Sequence, residues 1–243
     1  MNKELVKKRF CRKLNSYNKN ARIQKQMAEK LIGFLPDKKS KHSKVLEIGC
    51  GTGLLTALAV KNLSYKTYTA IDIVSDCKEY IKTISEDIEF ISGDIEDYIS
   101  SNDKKYDLIL SNASFQWIEN LPEFIDKLVQ KLNEGGILLF SVFGVENYRE
   151  IFYVTGKTLP YISKTEYEKK LQKYEPFVEE EVRVMAFATP LDVLKHMQNT
   201  GVNAISSEIW TKRDLINFEN AYNVFCANHP TLTYNPVYIK IQK

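Results

Sequence analysis

The sequence is short of the residues that build disulfide frameworks and metal sites. Its 243 residues include only four cysteines and three histidines. No two cysteines form a Cys-x-x-Cys pair, and scattered cysteines are typical of reduced intracellular thiols. The histidines, at positions 42, 196 and 229, have no spacing that a zinc site would need. We therefore expect neither a disulfide framework nor a metal site.

Long apolar runs are also missing. A transmembrane helix needs about 20 predominantly apolar residues in succession, and no segment approaches that length. The N-terminus is charged and lacks the apolar centre of a secretory signal. These absences predict a soluble, cytoplasmic protein that has no membrane partner.

The chain has little excess charge of either sign, because its net charge is only +3. The distribution of charge is more informative. The first 30 residues contain ten lysines or arginines and two glutamates, so this segment forms a basic patch on an otherwise balanced protein.

The N-terminal region is predicted to be helical. Four apolar residues are spaced as one face of a helix, namely Phe10, Leu14, Tyr17 and Ala21. A second helical segment follows and is expected to stop at Pro36. We expect residues 1–36 to form a helical lid on a main domain that comprises residues 37–243.

From residue 44 onward, short apolar runs alternate with helical stretches. The strand candidates are 44–48, 66–73, 88–92, 106–111 and 137–143, and the helical stretches between them are 54–63, 75–85 and 121–132. Such alternation implies crossover connections and a parallel sheet. Beyond Phe143 the predicted helices are 147–156, 164–174, 190–199 and 211–225, and the predicted strands are 182–188 and 233–241. The fold class is therefore a doubly wound α/β fold in one large domain.

A glycine-rich segment between the first strand and the next helix is the strongest functional signal. Gly49, Gly51 and Gly53 occupy alternate positions and follow Glu47. Glycines let the backbone turn sharply and approach a ligand closely, and the N-terminus of the next helix favours a negative group. A tight turn without a ligand is the alternative. Cys50, inside the turn, is expected to be a small filler rather than a nucleophile.

Polar residues follow the next three predicted strands. Asp72 lies nineteen residues after Gly53, and Asp94 and Asn112 follow the third and fourth strands. Ligands of open α/β sheets bind where the carboxyl ends of the strands meet, and an acidic residue there can accept both hydroxyls of a ribose. The Asp94 carboxylate could accept from an adenine amino group. Together these residues predict a nucleoside cofactor site.

The Gly49-x-Gly51-x-Gly53 pattern resembles the first motif of the class I S-adenosylmethionine-dependent methyltransferases. The resemblance implies a Rossmann-like, seven-stranded, mostly parallel sheet whose last strand is antiparallel, with helical insertions after the fifth strand. It implies S-adenosylmethionine as cofactor, with its ribose on Asp72, its adenine on Asp94 and Ile95, and its methionyl part on Glu47 to Gly53. The implied cofactor-binding set is Gln24, Glu47, Gly49, Cys50, Gly51, Gly53, Asp72, Ile73, Asp94, Ile95 and Asn112.

The segment after the fourth strand restricts the substrate. It reads Ser-Asn-Ala-Ser-Phe-Gln-Trp over residues 111–117. Adenine N6 methyltransferases have a diproline motif at this point, which this chain lacks. No cysteine pair suggests covalent attack on a pyrimidine.

Four segments together show a closer resemblance. They are residues 111–117, Arg9-Phe10 to Tyr17 with Gln24-x-Gln26, Leu194 to Ala204, and Leu232 to Tyr238. They resemble the malonyl-acyl-carrier-protein O-methyltransferases of biotin synthesis. The resemblance implies methyl transfer to the free carboxyl of a malonyl thioester on acyl carrier protein, with malonyl coenzyme A as a second candidate.

This substrate agrees with the residues available for chemistry. A malonyl carboxylate is already ionised at neutral pH, so it needs position and desolvation rather than a general base. The candidates for its pocket are Tyr17, Gln116, Trp117, Arg149 and His196. Gln116 is the strongest, because its loop should face the methyl group. The alternatives are a core role for Tyr17, a packed Trp117, a solvated Arg149 and a satisfied buried His196.

Two other functions compete with this one. The basic N-terminal segment would suit an RNA methyltransferase, although it lacks the aromatic platform of proteins that bind single-stranded RNA. The chain could alternatively be a non-catalytic S-adenosylmethionine-binding subunit of a partner enzyme, but Glu47, Asp72 and Asp94 are intact. Nucleic acid is therefore not expected as a partner. On the leading reading, the basic residues outside the apolar helix face would guide an acidic carrier protein, namely Lys7, Lys8, Arg12 and Lys13.

Overall fold

Nine strands and eleven α-helices are present in the computed structural model, which describes residues 3–35, 41–200 and 210–243. The strands are β1 (Lys41–Ile48), β2 (Ser64–Asp72), β3 (Ile88–Ser92), β4 (Tyr106–Asn112), β5 (Leu132–Phe143), β6 (Phe177–Glu180), β7 (Arg183–Ala186), β8 (Thr231–Tyr234) and β9 (Pro236–Gln242). The helices are α1 (Lys3–Cys11), α2 (Leu14–Asn20), α3 (Arg22–Gly33), α4 (Leu54–Asn62), α5 (Cys77–Ile84), α6 (Ile95–Ser101), α7 (Leu121–Gln130), α8 (Arg149–Thr155), α9 (Lys164–Lys170), α10 (Pro190–Asn199) and α11 (Lys212–Phe225).

Seven of the strands form one sheet, in the order β3-β2-β1-β4-β5-β9-β6. Strands β1 to β5 pair in parallel, whereas β9 is antiparallel to both β5 and β6. The reversal of strand order between β1 and β4 creates the crevice in which ligands of such sheets bind. The predicted doubly wound, mostly parallel sheet with an antiparallel last strand is confirmed.

Two apolar layers cover the two faces of the sheet. In β4, Leu108 and Leu110 belong to one buried cluster, while Ile109 belongs to the other. Helices α3 and α4 cover the first face through residues such as Met27 and Leu55, and α7 covers the second. Strands that are buried on both faces read as continuous apolar runs, which explains why the sequence predicted them.

The N-terminal apolar stripe does not form one continuous helix. The chain turns at Arg12 and Lys13, where α1 ends and α2 begins. The rings of Phe10 and Tyr17 meet edge-on with centroids 5.0 Å apart. Seven residues of straight helix would separate their backbones by about 10 Å along the axis, so the bend is what lets the two rings touch.

The C-terminal strand prediction was wrong in one respect. The strand expected over 233–241 is interrupted at Asn235, and β8 pairs with β7 in a separate two-stranded sheet. The buried Asn235 accepts a hydrogen bond from the Glu146 amide and donates one to the Glu181 carbonyl. These distant partners stabilise the break. The strand expected over 182–188 is present as the shorter β7, whereas β6 was not predicted.

Two further expectations fall on residues outside those that the structure describes. The boundary between the lid (1–36) and the main domain falls within 36–40, outside the described residues. Residues 201–204, part of the family-like segment that begins at Leu194, also lie outside them. In the described part of the chain, no helix is both long and apolar enough to cross a membrane.

Candidate active site

Three glycines carry the chain from β1 into α4. Gly49, Gly51 and Gly53 have φ angles of 68°, 52° and 81°, which residues with side chains rarely adopt. A Cβ atom on Gly49 would lie 2.1 Å from the Ser114 hydroxyl oxygen. The turn therefore presents bare backbone to the loop that follows β4.

Asp72, at the end of β2, braces this turn. One of its carboxylate oxygens accepts the amide of Gly51 at 2.9 Å, and the other accepts the amide of Val74 at the same distance. Burial raises the pKa of Asp72, while these backbone hydrogen bonds oppose the rise. Each carboxylate oxygen has a further lone pair, so the group can also accept from a ligand hydroxyl.

Glu47 is a buried acid on β1, just before the turn. Its carboxylate accepts hydrogen bonds from the Thr56 hydroxyl at 2.7 Å and from the Tyr68 hydroxyl. Burial raises the pKa of Glu47 to about 7, although both hydrogen bonds act in the opposite direction. The carboxyl group therefore changes charge close to neutral pH.

Asp94 joins the loop after β3 to the N-terminal helix. One of its oxygens caps α6 by accepting the Glu96 amide at 2.9 Å, and the other lies 2.6 Å from the Lys3 ammonium. Lys3 also pairs with the Glu96 carboxylate. Helix α1 is thus attached at this edge of the sheet by ion pairs.

Asn112 and Gln24 connect the end of β4 to α3. The Asn112 side-chain amide donates to the backbone carbonyl of Gln24 at 3.0 Å, and the Ser141 hydroxyl donates to Asn112 Oδ1 at 2.7 Å. Gln116 donates from Nε2 to the Ala113 carbonyl at 2.7 Å. The side-chain oxygens of Gln24 and Gln116 are buried without a hydrogen-bond partner. Unpaired buried acceptors are costly, which indicates that a ligand donor completes them.

These groups surround one cavity of about 180 Å³. The sequence-predicted residues that line it are Tyr17, Gln24, Glu47, Gly49, Cys50, Gly51, Asp72, Ile73, Asp94, Ile95, Asn112, Gln116 and Trp117. Gly53 does not line it but precedes the first residue of α4. Burial raises the pKa of the Cys50 thiol well above its ordinary value, which agrees with an inert filler.

Several cavity residues were not among the site residues predicted from the sequence. From α1 come Lys3, Val6, Lys7 and Phe10, and from elsewhere come Ser114, Phe143 and Thr200. The helical stripe contained Phe10, and the segment after β4 contained Ser114, so both had a detectable signal. The contribution of Lys3 depends on how α1 folds over the sheet edge, which no spacing reveals.

Two of the predicted substrate residues, Arg149 and His196, are not among the residues that line this cavity. Arg149 is exposed at the start of α8, with its guanidinium 3.3 Å from the Glu146 carboxylate. His196, on α10, shares a 2.7 Å hydrogen bond with the Tyr234 hydroxyl. Burial lowers the pKa of His196, as expected for a neutral imidazole that already has a partner.

The cavity fits S-adenosylmethionine by the chemistry of its walls. The bare glycine turn leaves room for a close backbone contact, and the buried oxygens of Gln24, Glu47 and Asp72 are acceptors for ammonium or hydroxyl donors. Apolar side chains such as Ile73 and Ile95 complete the wall beside Asp94. Within residues 3–35, 41–200 and 210–243, no three His, Cys, Asp or Glu residues are placed to hold a metal ion.

Comparison with known proteins agrees with this arrangement. Residues 17–207 match the family model described as a methyltransferase domain. The malonyl-[acyl-carrier protein] O-methyltransferase of Calditerrivibrio nitroreducens is 38% identical over 93% of this chain and 91% of its own length.

Solved structures share the fold at lower sequence identity. A proposed methyltransferase from Bacillus halodurans superposes with a TM-score of 0.64 at 15% identity, covering 89% of this chain and 98% of the other. A SAM-dependent methyltransferase from Geobacter sulfurreducens, solved with S-adenosyl-L-homocysteine, gives a TM-score of 0.55 at 15% identity, with 90% and 91% covered. On its full-length sequence similarity and its fold, the chain belongs to the malonyl-[acyl-carrier protein] O-methyltransferase family of S-adenosylmethionine-dependent methyltransferases.

Proposed function

We propose that this protein transfers a methyl group from S-adenosylmethionine to the free carboxylate of a malonyl thioester on acyl carrier protein, in an early step of biotin synthesis. The observation that carries the proposal is the cavity itself. The glycine turn and the buried acids line it together with Tyr17, Gln116 and Trp117. Full-length similarity to proteins named for this reaction supports the choice of substrate.

The cofactor site is assigned to the residues around the glycine turn. Glu47 and the turn would hold the methionyl part, Asp72 the ribose hydroxyls, and Asp94 with Ile95 the adenine. When bound, S-adenosylmethionine supplies an electrophilic methyl group on a sulfonium. The protein's own task is then to hold the substrate in line and to exclude water.

The acceptor carboxylate requires no proton transfer before it reacts. It is ionised at neutral pH, and no histidine is among the described residues that line the cavity. Tyr17, Gln116 and Trp117 supply hydrogen-bonding groups and aromatic surface. We assign to them the positioning of the carboxylate, with the aromatic rings limiting access of water.

The N-terminal helices are proposed to act as a lid over this site. Helix α1 contributes four cavity residues and is tied to the sheet edge through Lys3 and Asp94. Helix α2 is tied to the rest of the chain through Asn15, which accepts from the Tyr80 hydroxyl at 2.7 Å. Lys8 and Arg12 are exposed on the lid, where they would attract an acidic carrier protein.

The proposed cellular setting follows from the same substrate. Free thiols at Cys11, Cys50, Cys77 and Cys226 are typical of a reducing compartment, which supports a cytoplasmic location. Acyl carrier protein is the proposed partner, with malonyl coenzyme A as a smaller alternative substrate. Nucleic acid is not part of the proposal.

The test compares acceptors under identical conditions. The protein is incubated with S-adenosylmethionine and one acceptor at a time: malonyl carrier protein, acetyl carrier protein, malonyl coenzyme A or total RNA. Turnover of malonyl thioesters without turnover of the acetyl thioester is expected, because acetyl lacks the nucleophilic carboxylate. Equal turnover of both thioesters, methylation of RNA alone, or cofactor binding without any turnover would each contradict the proposal.

A further inference from the structure

His196 does not line the cavity, but it is bonded to a residue that packs behind the cavity wall. Its Nε2 atom shares a 2.7 Å hydrogen bond with the hydroxyl of Tyr234, which lies 38 residues further along the chain. The two residues come from two of the segments that resemble the malonyl-acyl-carrier-protein O-methyltransferases, 194–204 and 232–238. The bond thus joins α10 to β8.

Tyr234 is held directly behind the cavity wall. Only 1% of the residue is exposed, and its ring packs against the ring of Phe143 with centroids 6.0 Å apart. Phe143 lines the cavity. The His196 ring is packed in turn against Phe187, with centroids 5.2 Å apart. Because a buried hydroxyl needs a partner, the bond to His196 fixes the position of the ring that supports Phe143.

Thr200 brings the same polar cluster to the cavity surface. It follows His196 by one helical turn at the end of α10, and its hydroxyl donates to the carbonyls of His196 and Met197 at 3.2 Å each. The Tyr234 hydroxyl also interacts with the Thr200 side chain, and Thr200 lines the cavity. His196 therefore reaches the cavity through Tyr234 and Thr200.

The strand order shows which side of the crevice this wall occupies. Phe143 is the last residue of β5, which lies beside β4 on the side away from β1. Glu47 and Asp72 come from β1 and β2, and Asp94 follows β3. The proposed cofactor site therefore uses the ends of β1 to β3, and the wall at β5 is left for the acceptor.

We propose that His196 and Tyr234 are positioning residues for the acceptor, because their hydrogen bond holds Phe143 and Thr200 in the shape that receives the malonyl group. The inference rests on the proposed function, since it concerns the acceptor of that reaction. Neither residue of the pair is assigned a contact with substrate. Burial lowers the pKa of His196, so at neutral pH the imidazole bonds Tyr234 without placing a positive charge behind the wall.

The test removes each side of the bond in turn. His196→Leu and Tyr234→Phe should each increase KM for malonyl carrier protein by about two- to tenfold, the range for losing one neutral hydrogen bond. The value of kcat should change less than KM, and affinity for S-adenosylmethionine, measured by calorimetry, should stay unchanged. Because both variants break the same bond, the double variant should be no worse than the more affected single variant.

Two further variants separate positioning from general stability. His196→Gln offers Tyr234 an amide partner and should return KM most of the way to the wild-type value. Tyr222→Phe is the matched control, because Tyr222 is another buried tyrosine whose hydroxyl is bonded, here to the Thr231 carbonyl at 2.5 Å, and it does not line the cavity. It should lower the thermal midpoint and leave KM unchanged.

The outcomes distinguish this inference from the proposed function. An unchanged KM in both single variants, with an active wild-type protein, overturns the positioning role and leaves the function standing. The same rise in KM in Tyr222→Phe, or weaker cofactor binding in His196→Leu, shows a general loss of stability and also overturns it. A wild-type protein that leaves malonyl carrier protein unmethylated contradicts the proposed function itself. Binding of malonyl carrier protein in the presence of S-adenosylhomocysteine, measured without turnover, then decides the inference: it should weaken in His196→Leu and Tyr234→Phe, and equal binding overturns the role.

Discussion

Glu47 is a buried carboxylic acid whose ionisation should govern cofactor binding near neutral pH. Its pKa is raised from 4.5 to about 7 by burial. In the ligand-free protein, such a raised pKa means that stability from this group declines as pH increases from about 4.5 to about 7. The ionised form, needed to accept a ligand ammonium, is instead favoured at higher pH.

We therefore expect S-adenosylmethionine affinity to increase by about tenfold between pH 6 and pH 8, following ionisation of Glu47. Calorimetric titrations across this range measure the effect. Glu47→Gln should bind more weakly at pH 8 and should show a flat pH profile. A profile in the variant as steep as that of the wild-type protein would assign the titration to another group.

Asp72 offers a second test at the residue scale. Asp72→Ala should weaken S-adenosylmethionine binding by about 1–3 kcal/mol, the range for losing hydrogen bonds to a charged acceptor. Because Asp72 also braces Gly51 and Val74, the thermal midpoint should be measured alongside affinity. Asp87→Ala, an exposed acid before β3, is the control. Unchanged affinity in Asp72→Ala would place the cofactor elsewhere.

At the scale of elements, the lid makes a separate prediction. Reversing the exposed Lys8 and Arg12 to glutamate should increase KM for malonyl carrier protein several-fold at low salt, because complementary charge guides encounter. Screening beyond about 8 Å at physiological salt should reduce the difference. Malonyl coenzyme A should be affected less, since it lacks the carrier's acidic surface.

The matched control reverses two exposed lysines on another element, Lys169 and Lys170 of α9. Helix α9 packs on the other face of the sheet, where its buried Tyr167 belongs to the second apolar cluster. Initial rates over a salt series compare the two double variants. A general effect of charge would penalise both variants or both substrates equally, and that result would remove the docking role from α1.

The elements that could be predicted from the sequence are those that local pattern determines. Strands β1 to β5 were found because burial on both faces leaves continuous apolar runs, and α10 begins at Pro190 as predicted. Helix α6 was missed because Asp94, which caps it, was interpreted only as a ligand residue. The break at Asn235 depends on contacts with residues more than fifty positions away, which no local pattern encodes.

The site residues that could be predicted are likewise those that local pattern determines. The glycine turn, Glu47, Asp72 and Asp94 lie at ends of predicted strands, so the topology brings them together. Arg149 was a candidate for the substrate pocket, but it lies at the start of α8, where it pairs with Glu146, and it does not line the cavity.

At the scale of the whole molecule, the fold joins two requirements of the proposed reaction. The reversal of strand order opens the crevice at the ends of β1 and β4, and the N-terminal helices cover it. A cofactor and an acceptor can then meet in one desolvated cavity. We propose that the sheet and the lid belong to one unit of function, because helix α1 lines the same cavity as the ends of the strands.

The central claim is the atom that receives the methyl group. The most direct measurement is tandem mass spectrometry of malonyl carrier protein after incubation with methyl-labelled S-adenosylmethionine. We predict one labelled methyl group per malonyl, released from the carboxyl oxygen by mild ester hydrolysis that restores the malonyl acid. A label on the α-carbon, on the carrier polypeptide or absent from the malonyl group would contradict a carboxyl O-methyltransferase.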